Sequence, residues 1–380
     1  MSNIYDFPLS FSLIKKYITF TFKRFYGEYI VVGKENIPTD CPVIFAPNHI
    51  NALMDALAVH SVVPHKMPVI FLARSDMFKN KTIAKALNFI KIMPAFRMRD
   101  GVENLGKNNE IFERCVEVLH QNKALGIMPE GNQEIERKLR PLVKGIFRIA
   151  FAAQQKYGNQ PGVKIIPVGL DFGSIVKSHK HIIINIGKPI EVSDYMDTYD
   201  ANPVTATNEI RDRLKNDLIQ ATLNLDTDKY YQCFETATVI ANTTYLNKLQ
   251  LPDKTIFRFV ARQKLAEKLI EIEKTGTNTI EKLELLCTKY TKILNKIKLQ
   301  NWVLEEAPFN KLPLFLEILF LIATFPIFLY GFILNFLPFF SPVYLRKNVF
   351  KTEFTGFFSS LQYILGIITF PLFYTMQTIL

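Results

Sequence analysis

The sequence predicts an α/β fold, a mixed, largely parallel sheet flanked by helices, followed by a helical C-terminal region and two hydrophobic membrane segments. Three observations carry this. Between about Tyr29 and Val192, short apolar runs without polar alternation, as in strands covered on both faces, are separated by helical stretches. After Pro203 no comparable run follows and charge-rich helical patterns take over. From Leu312 onward the chain is strongly apolar.

Residues 1–28 come first. Met1–Tyr26 lacks the unbroken apolar core and small-residue cleavage site of a signal peptide and is read as retained. Phe11, Ile14, Ile18, Phe22 and Phe25 recur at helical spacing with Lys15, Lys16, Lys23 and Arg24 at the flanks, an amphipathic helix. It suits either the headgroup region of a membrane or a place on the protein core. Residues 29–200 form the α/β unit. Its strand runs are Pro42–Ala46, Val69–Ala73, Phe89–Met93, Ala124–Met128, Val163–Leu170 and His181–Ile186; helix candidates include Asn51–His60, Asn109–Gln121 and Lys144–Tyr157. Residues 201–310 hold four helical patterns, Ala206–Leu223, Thr227–Ile240, Asp253–Thr275 and Asn278–Leu299, with Gly276 as a stop between the last two.

Residues 311–380 contain Leu312–Phe340 and Phe354–Leu380, each long enough for a hydrocarbon core of ~30 Å. Pro313, Glu317, Pro326, Asn335 and Pro338 interrupt the first, Gly366 and Pro371 the second. A two-pass hairpin entered from the cytosol would put Arg346, Lys347 and Lys351 outside, against the positive-inside tendency. A Pro-broken hairpin returning on the same face relieves that conflict, and buried helices of a soluble fold are the third possibility. Leu380 falls inside an apolar run with no polar flank, as in a chain cut short.

Composition narrows the function. The 380 residues, 48% hydrophobic, exclude a disordered chain. Cys41, Cys115, Cys233 and Cys287 are far apart with no CxxC pair, which argues against a disulfide scaffold or a thiolate zinc site and for a reducing cytosolic face. A formal charge of +11 implies an anionic partner, and the concentration of Phe and Tyr in the C-terminal tract selects a membrane over nucleic acid.

Three strand ends carry candidate chemistry. In Pro47–Asp55, His49 follows an apolar strand and precedes a helix for which Asn51 suits the N-cap, so Asp55 lies one turn in. A His with a nearby carboxylate is what a general base needs, although a His and an Asp that both cap backbone fit the same residues. Arg97 and Arg99 alternate past the next strand end, suited to bidentate anion binding or to a solvated turn. In Gly126–Gly131, a strand ends at Pro129 with Glu130 and Gly131 at its tip; the Gly permits φ > 0 and the carboxylate can accept from hydroxyls or orient an arginine. Arg137, Lys138 and Arg140 then lead through Lys144-Gly145 into a helix whose N-terminus favours a phosphate. His179 and His181 are read as surface residues on a strand edge, and no remaining His, Cys or carboxylates have metal-ligand spacing.

Taken in order, these motifs resemble the glycerophospholipid acyltransferase family, which contains 1-acylglycerol-3-phosphate and glycerol-3-phosphate acyltransferases. The resemblance runs from Val31 to about Val192 through Gly33–Pro38, Asn48-His49 with Asp55, Phe71–Arg74 with Phe78–Asn80, Pro94 with Arg97, Met128–Gly131 with Lys144-Gly145, and Ile166–Gly169. It departs in two places. Five residues separate His49 and Asp55 where the commonest form has four, a spacing associated with a branch that includes some glycerol-3-phosphate acyltransferases. Asn132-Gln133 replaces the usual small or hydroxyl residue after the Glu-Gly pair.

The resemblance implies acyl transfer from acyl-CoA or acyl-ACP, as co-substrate, to the hydroxyl of lysophosphatidic acid in phospholipid biosynthesis, with no covalent acyl-enzyme and no metal or redox cofactor. His49 would take the hydroxyl proton and Asp55 would orient it. Arg97 and Arg99 would hold the acceptor phosphate, Glu130 with Gly131 would position the glycerol portion, and Lys144 completes the substrate-binding set. Partners would be membrane lipid and the thioester donor, without nucleic acid, with the catalytic domain on the cytoplasmic face of a membrane. Glycerol-3-phosphate or a lyso-aminolipid is the alternative acceptor, and an inactive lipid-binding protein with the same fold is the alternative from another class.

Overall fold

Each of the six apolar runs supplies a strand. A computed structural model describes residues 7–95, 105–157, 162–276, 278–305 and 311–379 of the chain. The runs become β2 (Val43–Pro47), β3 (Val69–Arg74), β4 (Ile92–Ala95), β5 (Ala124–Gly126), β6 (Lys164–Phe172) and β7 (His181–Ile186). β4 starts at Ile92 rather than Phe89, because Phe89 still belongs to helix α3 (Lys81–Phe89). Two strands that the run pattern leaves out, β1 (Glu28–Val32) and β8 (Ile190–Glu191), complete the sheet. Its order is β1-β7-β6-β2-β5-β3-β4, with β8 also paired to β6. β7 and β8 run antiparallel to β6 and the other pairs are parallel, so the sheet is mixed and largely parallel. The carboxyl ends of β2, β5, β3, β4 and β6 therefore share one edge, the edge at which open α/β sheets bind ligands.

Period-2 alternation sends the buried residues of each strand to two faces. Ile44, Ala46, Ile70, Leu125 and Ile165 pack under α4 (Leu105–His120) and α5 (Gly145–Tyr157), through Cys115, Leu119, Phe147 and Phe151. The same layer takes in α7 (Pro203–Ala221), whose Ala206, Ile210, Leu214 and Leu218 recur every fourth residue and are fully buried. Asn202 caps this helix, its side chain accepting from Val204 and Thr205 N–H, and Pro203 stands at the first position. α7, which follows the short α6 (Met196–Ala201), thus packs on the sheet. On the opposite face lies α2 (Leu53–Val62), against β2 and β6, with α1 (Leu9–Phe25) beside it.

α1 divides its apolar residues between two sides. Phe11 and Phe22 are buried, whereas Leu9, Leu13 and Phe20 are exposed. Lys15, expected at the flank of the stripe, instead turns inward, because its ammonium finds the carbonyls of Pro64 (3.1 Å) and Met67 (3.5 Å) beyond the end of α2. Burial lowers its pKa to about 8.

The chain divides into two units, residues 1–222 with 355–360, and residues 223–354 with 361–380. In the second, α8 (Tyr231–Ile240), α9 (Asn242–Lys248), α10 (Thr255–Lys274) and α11 (Thr279–Ile297) pack on one another. α12 (Asn301–Glu305) follows, then two long apolar helices, α13 (Lys311–Leu345) and α14 (Phe358–Ile379). α13 does not break at its prolines: Pro326, Pro338 and Pro342 all lie inside it. Each proline lacks the N–H that would bond the carbonyl four residues earlier. The two carbonyls freed by Pro338 and Pro342, those of Leu334 and Pro338, are taken by α14 side chains, Gln377 Nε2 at 2.7 Å and Thr369 Oγ1 at 3.3 Å. Both helices are long and apolar enough to cross a membrane, over 314–350 and 355–379, and Phe320, Ile327, Phe328, Ile333 and Ile368 present apolar surface outward.

Candidate active site

β2 is buried along its whole length and ends at Pro47, and the next residue fixes where the chain turns. Asn48 extends the pairing with β6 through its side chain: Oδ1 accepts from Leu170 N–H at 2.7 Å and Nδ2 donates to Leu170 C=O at 3.2 Å. His49 follows immediately, its side chain about 20% exposed and its Nδ1 2.8 Å from Asp55 Oδ2. A carboxylate at that distance fixes the proton of a neutral imidazole on Nδ1 and leaves Nε2 as the basic nitrogen.

Asp55 is completely buried. Burial pushes its carboxyl pKa up, while the contact with His49 and the N–H of Asn51 pull it down. That N–H reaches Asp55 Oδ2 at 2.8 Å, so the carboxylate caps the helix start from within, at the third helical position. The Asn51 side chain does not cap α2 as its residue type suggests: Ala52 occupies the N-cap without a side-chain bond, and Asn51 Oδ1 accepts from Ser359 Oγ instead.

Glu130, just past β5, is committed to the protein on both oxygens. Oε1 accepts the backbone N–H of His49 at 2.8 Å, and Oε2 accepts the backbone N–H and the Nε–H of Arg140, each at 3.1 Å. Arg140 in turn donates through Nη2 to the carbonyls of His49 (3.3 Å) and Asn132. The peptide groups on either side of His49 are thus held from both ends by one ion pair. Gly131 adopts φ +68°, a left-handed turn that reverses the chain behind Glu130. The loop that follows is closed by Val143 N–H on Pro129 C=O at 2.7 Å, and Lys144, exposed, stands beside this closure at the start of α5. Arg97 and Arg99 lie outside the described residues.

The structure therefore joins His49, Asp55 and Glu130 in one bonded network and adds Arg140, which the sequence shows only as one cation of a basic loop. Arg137 of that loop instead pairs with buried Asp171 (3.2 Å) and the carbonyl of Phe172 (2.7 Å). His181 approaches Asp171 at 3.3 Å and is only partly exposed, so it is a member of this second polar cluster rather than a plain surface residue.

Residues 28–171 match the family model described as Acyltransferase. Among curated proteins, the chain is 27% identical over 145 residues to glycerol-3-phosphate O-acyltransferase 1 of Saccharomyces cerevisiae, 37% of this chain and 19% of that protein. It is 22% identical over 160 residues to a 1-acyl-sn-glycerol-3-phosphate acyltransferase of Chlamydomonas reinhardtii, covering 42% of this chain and 43% of the relative. A Borreliella burgdorferi protein of the same name matches at 23% over 184 residues, 48% of this chain and 67% of the relative. The match thus spans less than half of the yeast and algal proteins. Among solved structures, the 1-acyl-sn-glycerophosphate acyltransferase PlsC of Thermotoga maritima aligns at a TM-score of 0.39 and 18% identity, over 54% of this chain and 78% of that one.

Proposed function

Taking residues 28–171 as an acyltransferase-family domain, we propose that the chain transfers a fatty acyl group from acyl-CoA or acyl-ACP to the free hydroxyl of lysophosphatidic acid, in phospholipid synthesis. The observation that carries this reading is the His49–Asp55 pair, a partly exposed imidazole whose Nδ1 faces a buried carboxylate. His49 Nε2 removes the acceptor hydroxyl proton as the oxygen attacks the thioester carbonyl. The C–S bond then breaks, and the proton passes from the imidazolium to the departing thiolate. Asp55 steadies the imidazolium between the two steps. Glu130 and Arg140 act through the peptide groups of His49, fixing where Nε2 points. Arg97, Arg99 and Lys144 supply cations for the acceptor phosphate, Lys144 from the N-terminus of α5. Two apolar helices support membrane attachment, and we assign the acyltransferase domain to the cytoplasmic face, in keeping with its four free cysteines.

Glycerol-3-phosphate is a second acceptor with its own support, the five residues between His49 and Asp55 and the similarity to the yeast glycerol-3-phosphate enzyme. Offering both acceptors in competition with one labelled acyl thioester separates the two. Phosphatidic acid as the first product supports the leading assignment; label entering lysophosphatidic acid replaces it with the second.

A further inference from the structure

The turn between His49 and Asp55 is held by more than its own hydrogen bonds. Ala52, which is not glycine, sits at φ 46° and ψ −120°, outside the regions that residues with a Cβ ordinarily populate. Such backbone persists only where its surroundings over-determine it. Here the surroundings come from the far end of the chain. The turn Thr355–Phe357 and the first residues of α14 belong to the same unit as the sheet. Ser359 Oγ donates to Asn51 Oδ1 at 2.6 Å, and Ser360 Oγ donates to the Asn51 carbonyl at 3.4 Å. Gln133 bridges the two segments, its Nε2 donating to Ile50 C=O at 3.4 Å and to Gly356 C=O at 3.2 Å. Asn51, Gly356, Ser359 and Ser360 are all buried. A serine in the first turn of a helix usually bonds its own backbone. These two instead reach a loop more than 300 residues earlier.

We infer that Ser359, Ser360 and Gln133 are positioning residues of the acyltransferase site, clamping residues 50–52 so that the Asn51 N–H holds Asp55 Oδ2 against His49. The inference rests on His49 being the general base. It also accounts for Gln133, since the residue that departs from the family pattern after Glu130-Gly131 supplies the amide that ties residues 355–360 to the loop. The start of the last apolar helix is thereby part of the active-site framework.

The test is steady-state kinetics of the full chain in detergent or lipid, comparing Ser359→Ala/Ser360→Ala, Asn51→Ala, the triple variant and His49→Ala. The serine double variant is expected to lose about tenfold in kcat, the equivalent of one misplaced buried hydrogen bond, with both KM values within twofold and melting within a few degrees of the parent. Placed on Asn51→Ala, the serine pair should cost clearly less than in the parent, because Ser359 acts through the Asn51 side chain, and only the share carried by Ser360 on the Asn51 backbone carbonyl should persist. A kcat loss smaller than threefold while His49→Ala is inactive overturns the inference and leaves the proposed function standing. A loss that repeats in full on Asn51→Ala overturns it as well. His49→Ala with parental activity removes the functional reading and the inference together. Should the double variant not fold, Gln133→Ala, on the partly exposed side of the clamp, is expected to lower kcat at least threefold at unchanged KM; no change contradicts the clamp.

Discussion

Arg140 is the residue whose removal should be felt in the most ways. It neutralises a buried carboxylate, and it donates to the carbonyl of the residue proposed as the base. Arg140→Ala leaves Glu130 buried without its guanidinium, with only the backbone N–H groups of residues 49 and 140 as partners, a deficit of roughly 2–3 kcal/mol, so a lower melting temperature should accompany lost activity. Arg140→Lys should restore little, since an ammonium cannot span Glu130 and two carbonyls as the guanidinium fork does. A thermal melt of the three proteins checks both expectations; equal melting temperatures for parent and Arg140→Ala contradict the brace. At this scale the sequence was legible for residue types and not for pairings. His49, Asp55 and Glu130 stand at strand ends, where the chemistry is visible from chain order. That Arg140 rather than Arg137 reaches Glu130 depends on how a loop folds back, and the left-handed Gly131 and the Val143–Pro129 bond decide that through no periodic signal.

Among the elements, the pairing of α1 with α2 carries a pH signature. His60 on α2 has its Nδ1 buried, and burial together with the charge on Lys15 lowers its pKa from 6.5 to about 3. A lowered folded-state pKa means that the imidazole stays neutral in the fold while the unfolded chain binds a proton below 6.5. Its contribution is therefore fully present above pH 6.5 and is lost as pH falls toward about 3. Between pH 7 and 5 the parent should lose about 2 kcal/mol more than His60→Leu, read as a steeper fall in melting temperature. Parallel pH profiles would contradict the assignment. The same two helices show why the amphipathic stripe of α1 under-determined its place. Spacing identifies a helix, but Lys15 is taken inward by carbonyls after α2 that no helical pattern announces. Continuous apolar runs marked the covered strands, whereas β1, with no fully buried residue, and the two-residue β8 left no such run.

For the whole molecule, the apolar tract reads as a hairpin of unbroken helices. The prolines that suggested interruption in the sequence sit inside α13, and the carbonyls they free at Leu334 and Pro338 are bonded from α14. With those two carbonyls bonded and its apolar side chains outward, the tract is suited to hydrocarbon. The full chain should stay with membranes through a high-salt wash and leave only with detergent; release by salt alone would reduce the attachment to screened basic contacts. The proposed function itself turns on His49. The most direct measurement is the rate of labelled acyl transfer to lysophosphatidic acid by purified parent and His49→Ala proteins of equal melting temperature. Phosphatidic acid is expected from the parent, with a rate lower by about 10²–10⁴-fold from the variant. A variant retaining more than about a tenth of the parental rate would contradict the assignment of His49 as the base.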